Sequence, residues 1–260
     1  MKLGTMLRIP DMNGAEEVFA LLNRMGYPSG QLVYKPEEYT REDAKKMLEL
    51  SEKYGVELNS QFAGFRPGMP TDSYSKMDYW KKAAEFISWL GLSDMVIHAG
   101  DIPTDKKSFQ YAYMCEKIRY IAEYVKNFGL NILFETGIEL PVMLLGIIEN
   151  DVATGNLYVN LDTANSITSG WGNPVDAIAV FGKYIRNVHI KDGLPPTSAL
   201  KRGPEVAVGE GWVDFPAVIA ALKKLNYDRY LTVEREISGE QQQKDLVRTR
   251  AYIETLWNRA

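Results

Sequence analysis

The chain alternates eight times between a short apolar run and a longer segment with helical spacing. The apolar runs fall at 4–9, 31–34, 56–61, 95–99, 132–135, 157–162, 185–190 and 230–234. Helical spacing fills 14–25, 41–54, 75–90, 107–128, 141–150, 174–181, 215–225 and 241–258. Strands that alternate with helices pair in parallel, because each helix carries the chain back across the sheet. Eight such units is the number that closes a barrel. The pattern therefore predicts a (β/α)₈ TIM barrel of the α/β class, a single domain over 1–260. The competitor is an open doubly wound sheet, in which a Gly-rich phosphate turn often follows the first strand. Here the first strand runs into Pro10-Asp11-Met12-Asn13-Gly14, which is no such turn.

Local signals agree with these boundaries. Thr40 is placed to cap helix 41–54, with Glu42 and Asp43 in its first turn. Gly55 follows that helix where a left-handed residue is often needed. Asp214 precedes helix 215–225 as an N-cap, and Pro216 falls in its first turn.

Composition excludes several function classes. A net charge of −4 offers no basic surface for nucleic acid or an anionic membrane. No apolar run approaches the roughly 20 residues of a spanning helix. The opening stretch, with one Lys and a very short apolar segment, is a poor signal peptide. The single cysteine, Cys115, has no internal disulfide partner, which fits a reducing, cytoplasmic setting.

Barrel strands are buried on both faces, so a polar residue within one needs a reason. Five apolar runs end in one: Glu135, Asp162, His189, Glu234 and, earlier in the chain, His98. Parallel strands bring these ends to one mouth, where barrel enzymes place their chemistry. Only two histidines occur in the chain, and both sit at strand ends. Alone, His189 reads as a hydrogen-bonded core histidine. Beside three converging carboxylates it reads as a metal ligand, because three buried carboxylates repel and a divalent cation removes the conflict. The ion leaves one formal negative charge, which a nearby Lys or Arg offsets. Oxygen-rich ligation with one imidazole suits Mn²⁺ first, then Mg²⁺ or Co²⁺, and Zn²⁺ is also permitted.

At these residues the chain resembles the xylose-isomerase-like barrel superfamily, in the group of ketose 3-epimerases, hydroxypyruvate isomerase and inosose dehydratase. The resembling stretches start at Leu133 (LFETG), Asn160 (NLDTAN), Val188 (VHIKDG), Val208 (VGEGWVDFPAVIAAL) and Tyr230 (YLTVERE). The first half matches mainly through its β/α rhythm and the stretch VIHAGD from Val96. The resemblance implies that Glu135, Asp162, His189 and Glu234 hold one divalent metal, and that Glu135 and Glu234 also act as acid and base. It implies a strand-end substrate position for His98, and a pair after the metal histidine like Lys191-Asp192. It also suggests a homodimer or homotetramer. Many members read Asp-Thr-Gly-His after the sixth strand, and that His helps hold substrate. This chain reads Asp162-Thr163-Ala164-Asn165. Asn165 still donates and accepts hydrogen bonds but does not change charge near neutral pH.

The expected activity is a metal-dependent sugar isomerase or epimerase. It would move a proton next to the carbonyl of a ketose or related keto-polyol, through a metal-stabilised ene-diolate. Loss of a β-hydroxyl instead would make it a lyase or dehydratase on a keto-sugar or keto-inositol. Arg8, Gln61, His98, Asn165, Lys191 and Trp212 are candidate substrate contacts. For Arg8 and Gln61 a rim hydrogen bond serves equally well. Phe62, Phe65, Trp171 and Trp212 could wall a sugar ring, although aromatics more often serve packing. Gly209-Glu210-Gly211 reads as a tight entry to the next helix rather than a phosphate fingerprint. Arg235 and Glu236 could pair beside Glu234. Two rivals fit less well. An endonuclease IV-type phosphodiesterase uses a histidine-rich zinc cluster and a basic footprint, which this chain lacks. A non-catalytic barrel should have lost at least one ligand.

Overall fold

The computed structural model describes residues 1–64 and 74–260, the side chains of 74–79 excepted. Among the described residues ten strands form: β1 (Lys2–Ile9), β2 (Ser29–Tyr34), β3 (Glu57–Phe62), β4 (Asp94–His98), β5 (Asn131–Glu135), β6 (Leu157–Asp162), β7 (Ile185–Ile190), β8 (Asp192–Gly193), β9 (Glu205–Val206) and β10 (Tyr230–Val233). Eight of them close a parallel barrel in the order β1-β10-β7-β6-β5-β4-β3-β2. The other two, β8 and β9, pair antiparallel beside it. The helices are α1 (Ala15–Arg24), α2 (Arg41–Tyr54), α3 (Tyr74–Trp89), α4 (Phe109–Lys126), α5 (Pro141–Gly146), α6 (Asn165–Ser169), α7 (Pro174–Phe181), α8 (Phe215–Lys224) and α9 (Glu240–Arg259). The eight expected strands are present, within three residues at every end.

Capping follows the sequence signals. Thr40 accepts a hydrogen bond from the Asp43 backbone N–H at 3.0 Å. Gly55 closes α2 with φ +62. Asp214 accepts from the Ala217 backbone N–H at 3.0 Å. Helix 141–150 differs from expectation: α5 stops at Gly146 and continues as a π-helical turn, Ile147–Asp151. Helix α6 and the β8–β9 pair are additions. A five-residue helix and two-residue strands are too short to carry a readable period.

The main core lies between barrel and helices. Phe19, Met47, Ile87, Ile121, Ile178, Ile219 and Ile253 pack from the helices onto Leu7, Leu32, Met95, Phe134, Val159 and Leu231. Burying each such side chain stabilises the fold by roughly 1.5–3 kcal/mol. The barrel interior is more polar. Thr232 donates to Asn187 at 3.0 Å, and Asn187 donates to Asn160. Gln31 donates to Ser60 at 3.0 Å, and Ser60 donates to Asn59 at 2.8 Å. These pairings hold polar side chains inside a closed sheet without an unpaired penalty on most of them.

No helix among the described residues is long and apolar enough to cross a membrane.

Candidate metal centre

Strand register brings the polar strand ends to one level. His98 lies opposite Glu135, and Asp162 lies opposite His189. His189 also pairs with Thr232, so Glu234 emerges two residues on, at the mouth. Ligand atoms of Glu135, Asp162, His189 and Glu234 all lie within 4.8 Å of one another, and all four residues are buried. His189 Nδ1 faces Glu135 Oε1 and Glu234 Oε2, each at 3.1 Å, and Asp162 Oδ2 at 3.9 Å.

Without a cation, protons answer the crowding. Burial pushes the Asp162 carboxyl up, Lys191 opposes this, and Glu135 and Glu234 add to it, so Asp162 titrates at about 7. Burial would lower His189, but Glu234 and Glu135 override it and raise the imidazole to about 10. Burial would raise Glu234, yet His189, Lys191 and Arg8 hold it well below the usual carboxylate range. The cluster therefore attracts positive charge at its centre, as a cation site should.

The donor set fits a hard divalent ion. Asp162 Oδ1 is occupied by the backbone N–H groups of Ala164 (2.8 Å) and Asn165 (2.7 Å). Asp162 Oδ2 is buried without a hydrogen-bond partner and borders the other three ligands. Such an orphaned oxygen costs free energy unless an ion takes it. Three carboxylates and one imidazole suit Mn²⁺, Mg²⁺ or Co²⁺ better than a sulfur-seeking metal.

Gln31 completes this arrangement, and sequence reasoning passed over it. It reaches across the barrel from β2, and its Oε1 lies 2.8 Å from His189 Nε2. Its Nε2 is turned away toward Ser60, so Oε1 is the end that faces the ring. A carbonyl there accepts the Nε2 proton and leaves the Nδ1 lone pair free for a metal. Gln31→Leu is expected to weaken Mn²⁺ binding by about 10–100-fold, read by titration calorimetry. The proton on His189 Nδ1 must leave when a metal binds. Metal affinity should therefore rise with pH, by close to tenfold per unit between about 7 and 9 and more steeply below about 7, where Asp162 also holds a proton. Calorimetry in buffers of different ionisation enthalpy should show proton release on binding; pH-independent affinity would contradict the assignment.

The walls above the centre hold most of the expected substrate contacts. A cavity of about 440 Å³ is lined by Arg8, Phe62, His98, Asn165, Lys191 and Arg202 together with Glu135 and Glu234. Arg8 Nη2 sits 3.1 Å from Glu234 Oε1. Lys191 Nζ lies 2.9 Å from Glu236 Oε1 and 3.5 Å from Glu234 Oε2. His98 Nδ1 lies 3.0 Å from Glu135 Oε2, with its ring edge-on to Phe62 at 5.3 Å. Asn165 Nδ2 donates to the Thr136 carbonyl at 2.9 Å, and its Oδ1 accepts from Arg202 at 2.9 Å.

Other expectations fall elsewhere. Gln61 is fully buried away from the mouth, donating to the Tyr34 carbonyl at 3.1 Å and the Tyr39 hydroxyl at 3.3 Å. Strand side chains alternate, and Ser60 takes the inward face, so Gln61 points outward. Trp212 is 69% exposed and lines none of the recesses at the mouth described here. Trp171 borders a smaller side recess near Leu200. Phe65 lies outside the described residues. Arg235 does not pair with Glu236; it bridges Glu205 and Asp245, each at 2.8 Å, while Glu236 turns to Lys191. Asp192 accepts four backbone N–H groups, from Gly193, Gly209, Gly211 and Val213, and so ties the loop before α8 to the mouth. A Cβ at Gly211 would lie 2.2 Å from Asp192 Oδ1, which explains the glycine there.

The family profile of the xylose isomerase-like TIM barrel matches residues 19–255. The chain belongs to the xylose isomerase-like TIM barrel family. A xylose isomerase domain protein from Planctomyces limnophilus superposes with a TM-score of 0.84 at 27% identity, over 92% of this chain and 90% of that one. A D-tagatose 3-epimerase-like protein has a TM-score of 0.77 at 20% identity, over 99% and 97% of the two chains. A probable 3-DHS dehydratase from Bacillus anthracis has a TM-score of 0.74 at 18% identity, over the whole of both chains. At that identity the last two show a shared fold only. An uncharacterized protein of Methanocaldococcus jannaschii is 25% identical over 210 residues, 74% of this chain and 69% of its own length. Within the family fold, the four candidate ligands come from β5, β6 and β7 and from the residue just past β10.

Proposed function

We propose that this chain is a divalent-metal-dependent sugar isomerase or epimerase that moves a proton next to the carbonyl of a ketose or related keto-polyol. The carrying observation is the placement of Glu135 and Glu234. They rise from strands three places apart in the ring of eight, line the same cavity and meet at His189 Nδ1. Structural neighbours that share this fold include a D-psicose 3-epimerase and a D-tagatose 3-epimerase-like protein, which supports the reading. We take Mn²⁺ as the native ion and the cytoplasm as the setting, the latter on the buried free thiol of Cys115.

Glu135, Asp162, His189 and Glu234 would hold the divalent ion, which when bound would supply Lewis-acid polarisation of a substrate carbonyl. The chain's own groups do the rest. His189, Lys191 and Arg8 together hold Glu234 well below the usual carboxylate range, against the effect of burial. His98 stands against Glu135 Oε2 at 3.0 Å and orients that carboxylate. One of the two carboxylates takes the proton from carbon. If the other returns a proton to the opposite face, the product is an epimer. Return to the neighbouring carbon gives an aldose–ketose isomer. Loss of a β-hydroxyl gives a dehydratase, a second reading that Asn165 keeps open: its amide is engaged at both ends and does not change charge near neutral pH.

The test is Mn²⁺-loaded protein in D₂O with a panel of ketoses and keto-inositols. Deuterium entering the carbon next to the carbonyl is the expected result. No wash-in with any member, together with metal-dependent activity that survives Glu135→Gln, would overturn the reading.

A further inference from the structure

A side recess of about 260 Å³ opens on the rim of the mouth, and the proton transfer described above makes no use of it. Trp171, Ile138, Leu200 and Pro196 form its apolar walls, with Ser198 and Lys201 among them. Trp171 is 60% exposed, Leu200 92% and Ile138 40%. Single apolar side chains on a surface are ordinary, but three around one recess form a patch of the kind that marks a binding surface. The recess is continuous with the metal-centre cavity. Ile138 and Arg202 also line the adjoining cavity of about 420 Å³, which shares His98, Glu135, Asn165 and Arg202 with the main one.

Both walls of the recess are fixed. Helix α6 ends at Gly170, at φ +77, and the Trp171 backbone N–H donates to the Ser166 carbonyl at 3.0 Å. A Cβ at Gly170 would lie 3.2 Å from Pro196 Cγ, so the Trp171 wall and the loop opposite touch. That loop is tied by Gly203 N–H to the Thr168 carbonyl at 2.7 Å and by Leu200 N–H to Ser198 Oγ at 3.2 Å. The recess is thus formed in advance, as small-molecule sites usually are. Its chemistry is two-sided: the indole face, Leu200 and Pro196 offer C–H surface, and the Ser198 hydroxyl and Lys201 ammonium offer polar partners. A sugar ring, with a face of C–H groups and an edge of hydroxyls, uses both sides; an aryl group uses only the first. The main cavity, about 440 Å³, already lies in the range of roughly 300–1,000 Å³ that takes a drug-sized ligand. A six-carbon ketose is smaller than that, so held at the metal it leaves the outer recess unfilled.

We propose that the substrate is a glycosylated ketose: the keto-sugar faces Glu135 and Glu234, and a second, neutral sugar ring joined to it by a glycosidic bond stacks on Trp171. This rests on the ketose reading above and deepens it by naming the substrate class. Trp171 supplies binding and specificity and takes no part in moving the proton. The glycosidic bond stays intact throughout.

The test titrates Mn²⁺-loaded protein, by calorimetry and by tryptophan fluorescence, with D-fructose, turanose, lactulose and isomaltulose. The last three each carry a second sugar ring at a different oxygen of that same ketose. At least one of them should bind about tenfold tighter than D-fructose, the scale of one aromatic contact with its burial. Trp171→Ala should bring that disaccharide to the affinity of D-fructose. Trp171→Phe keeps a stacking face and should keep most of the gap, while the fluorescence change that the second ring adds in wild type disappears. No disaccharide tighter than D-fructose, or a gap that survives Trp171→Ala, would overturn the proposal. Deuterium wash-in separates the two readings. Exchange into D-fructose without a gap sinks the second-ring subsite alone, and a gap without exchange sinks the ketose chemistry alone.

Discussion

Glu135→Gln is expected to slow deuterium wash-in at the carbon next to the carbonyl by about 10²–10⁴-fold, the usual weight of one positioned acid–base group. The substitution keeps size and one oxygen. It removes the charge that faces His189 Nδ1 at 3.1 Å and lies against His98 at 3.0 Å. Asp162, His189 and Glu234 remain, so Mn²⁺ should still bind, more weakly. Measuring metal occupancy at the substrate concentration used separates the two roles of Glu135. A rate loss that vanishes at saturating Mn²⁺ would mean Glu135 is a ligand and nothing more.

The second large effect is on stability and has opposite signs with and without metal. In the metal-free protein, burial and its carboxylate neighbours raise Asp162 to about 7. A carboxyl raised on folding costs stability as pH climbs from its unfolded value through its folded one, and the full cost is present above about 7. Asp162→Asn removes that cost. The amide oxygen can still accept from the Ala164 and Asn165 N–H groups that brace the turn. At pH 8 the metal-free variant should be more stable than wild type by about 1–3 kcal/mol, in chemical denaturation. Adding Mn²⁺ should then stabilise wild type strongly and the variant little, since only wild type keeps all four ligands. A variant less stable than wild type at pH 8 without metal would contradict the repulsive cluster.

The barrel and the convergence of Glu135, Asp162, His189 and Glu234 were legible because both are written in coarse patterns. Eight apolar runs set the strand count, and parallel pairing forces Glu135, Asp162, His189 and Glu234 to one mouth. What was missed is local. Gln31 sits in mid-strand, and the rule that a buried polar residue needs a reason applies to it as much as to a strand end. Gln61 was one residue out of phase: Ser60 faces the barrel interior, and a shift of one residue exchanges faces. Arg202 lies in a loop with no periodicity, and its place depends on ties to Thr168 and Asn165 that no spacing reveals. The partners of Arg235 lie on other elements, thirty residues back at Glu205 and ten residues on at Asp245 in α9.

Anomalous diffraction from crystals grown with Mn²⁺ locates the proposed ion without reference to activity. A single strong anomalous peak is expected, bounded by Glu135, Asp162, His189 Nδ1 and Glu234, with His189 Nε2 still hydrogen-bonded to Gln31. No peak within that cluster at saturating Mn²⁺, or a peak only at other residues, would contradict it.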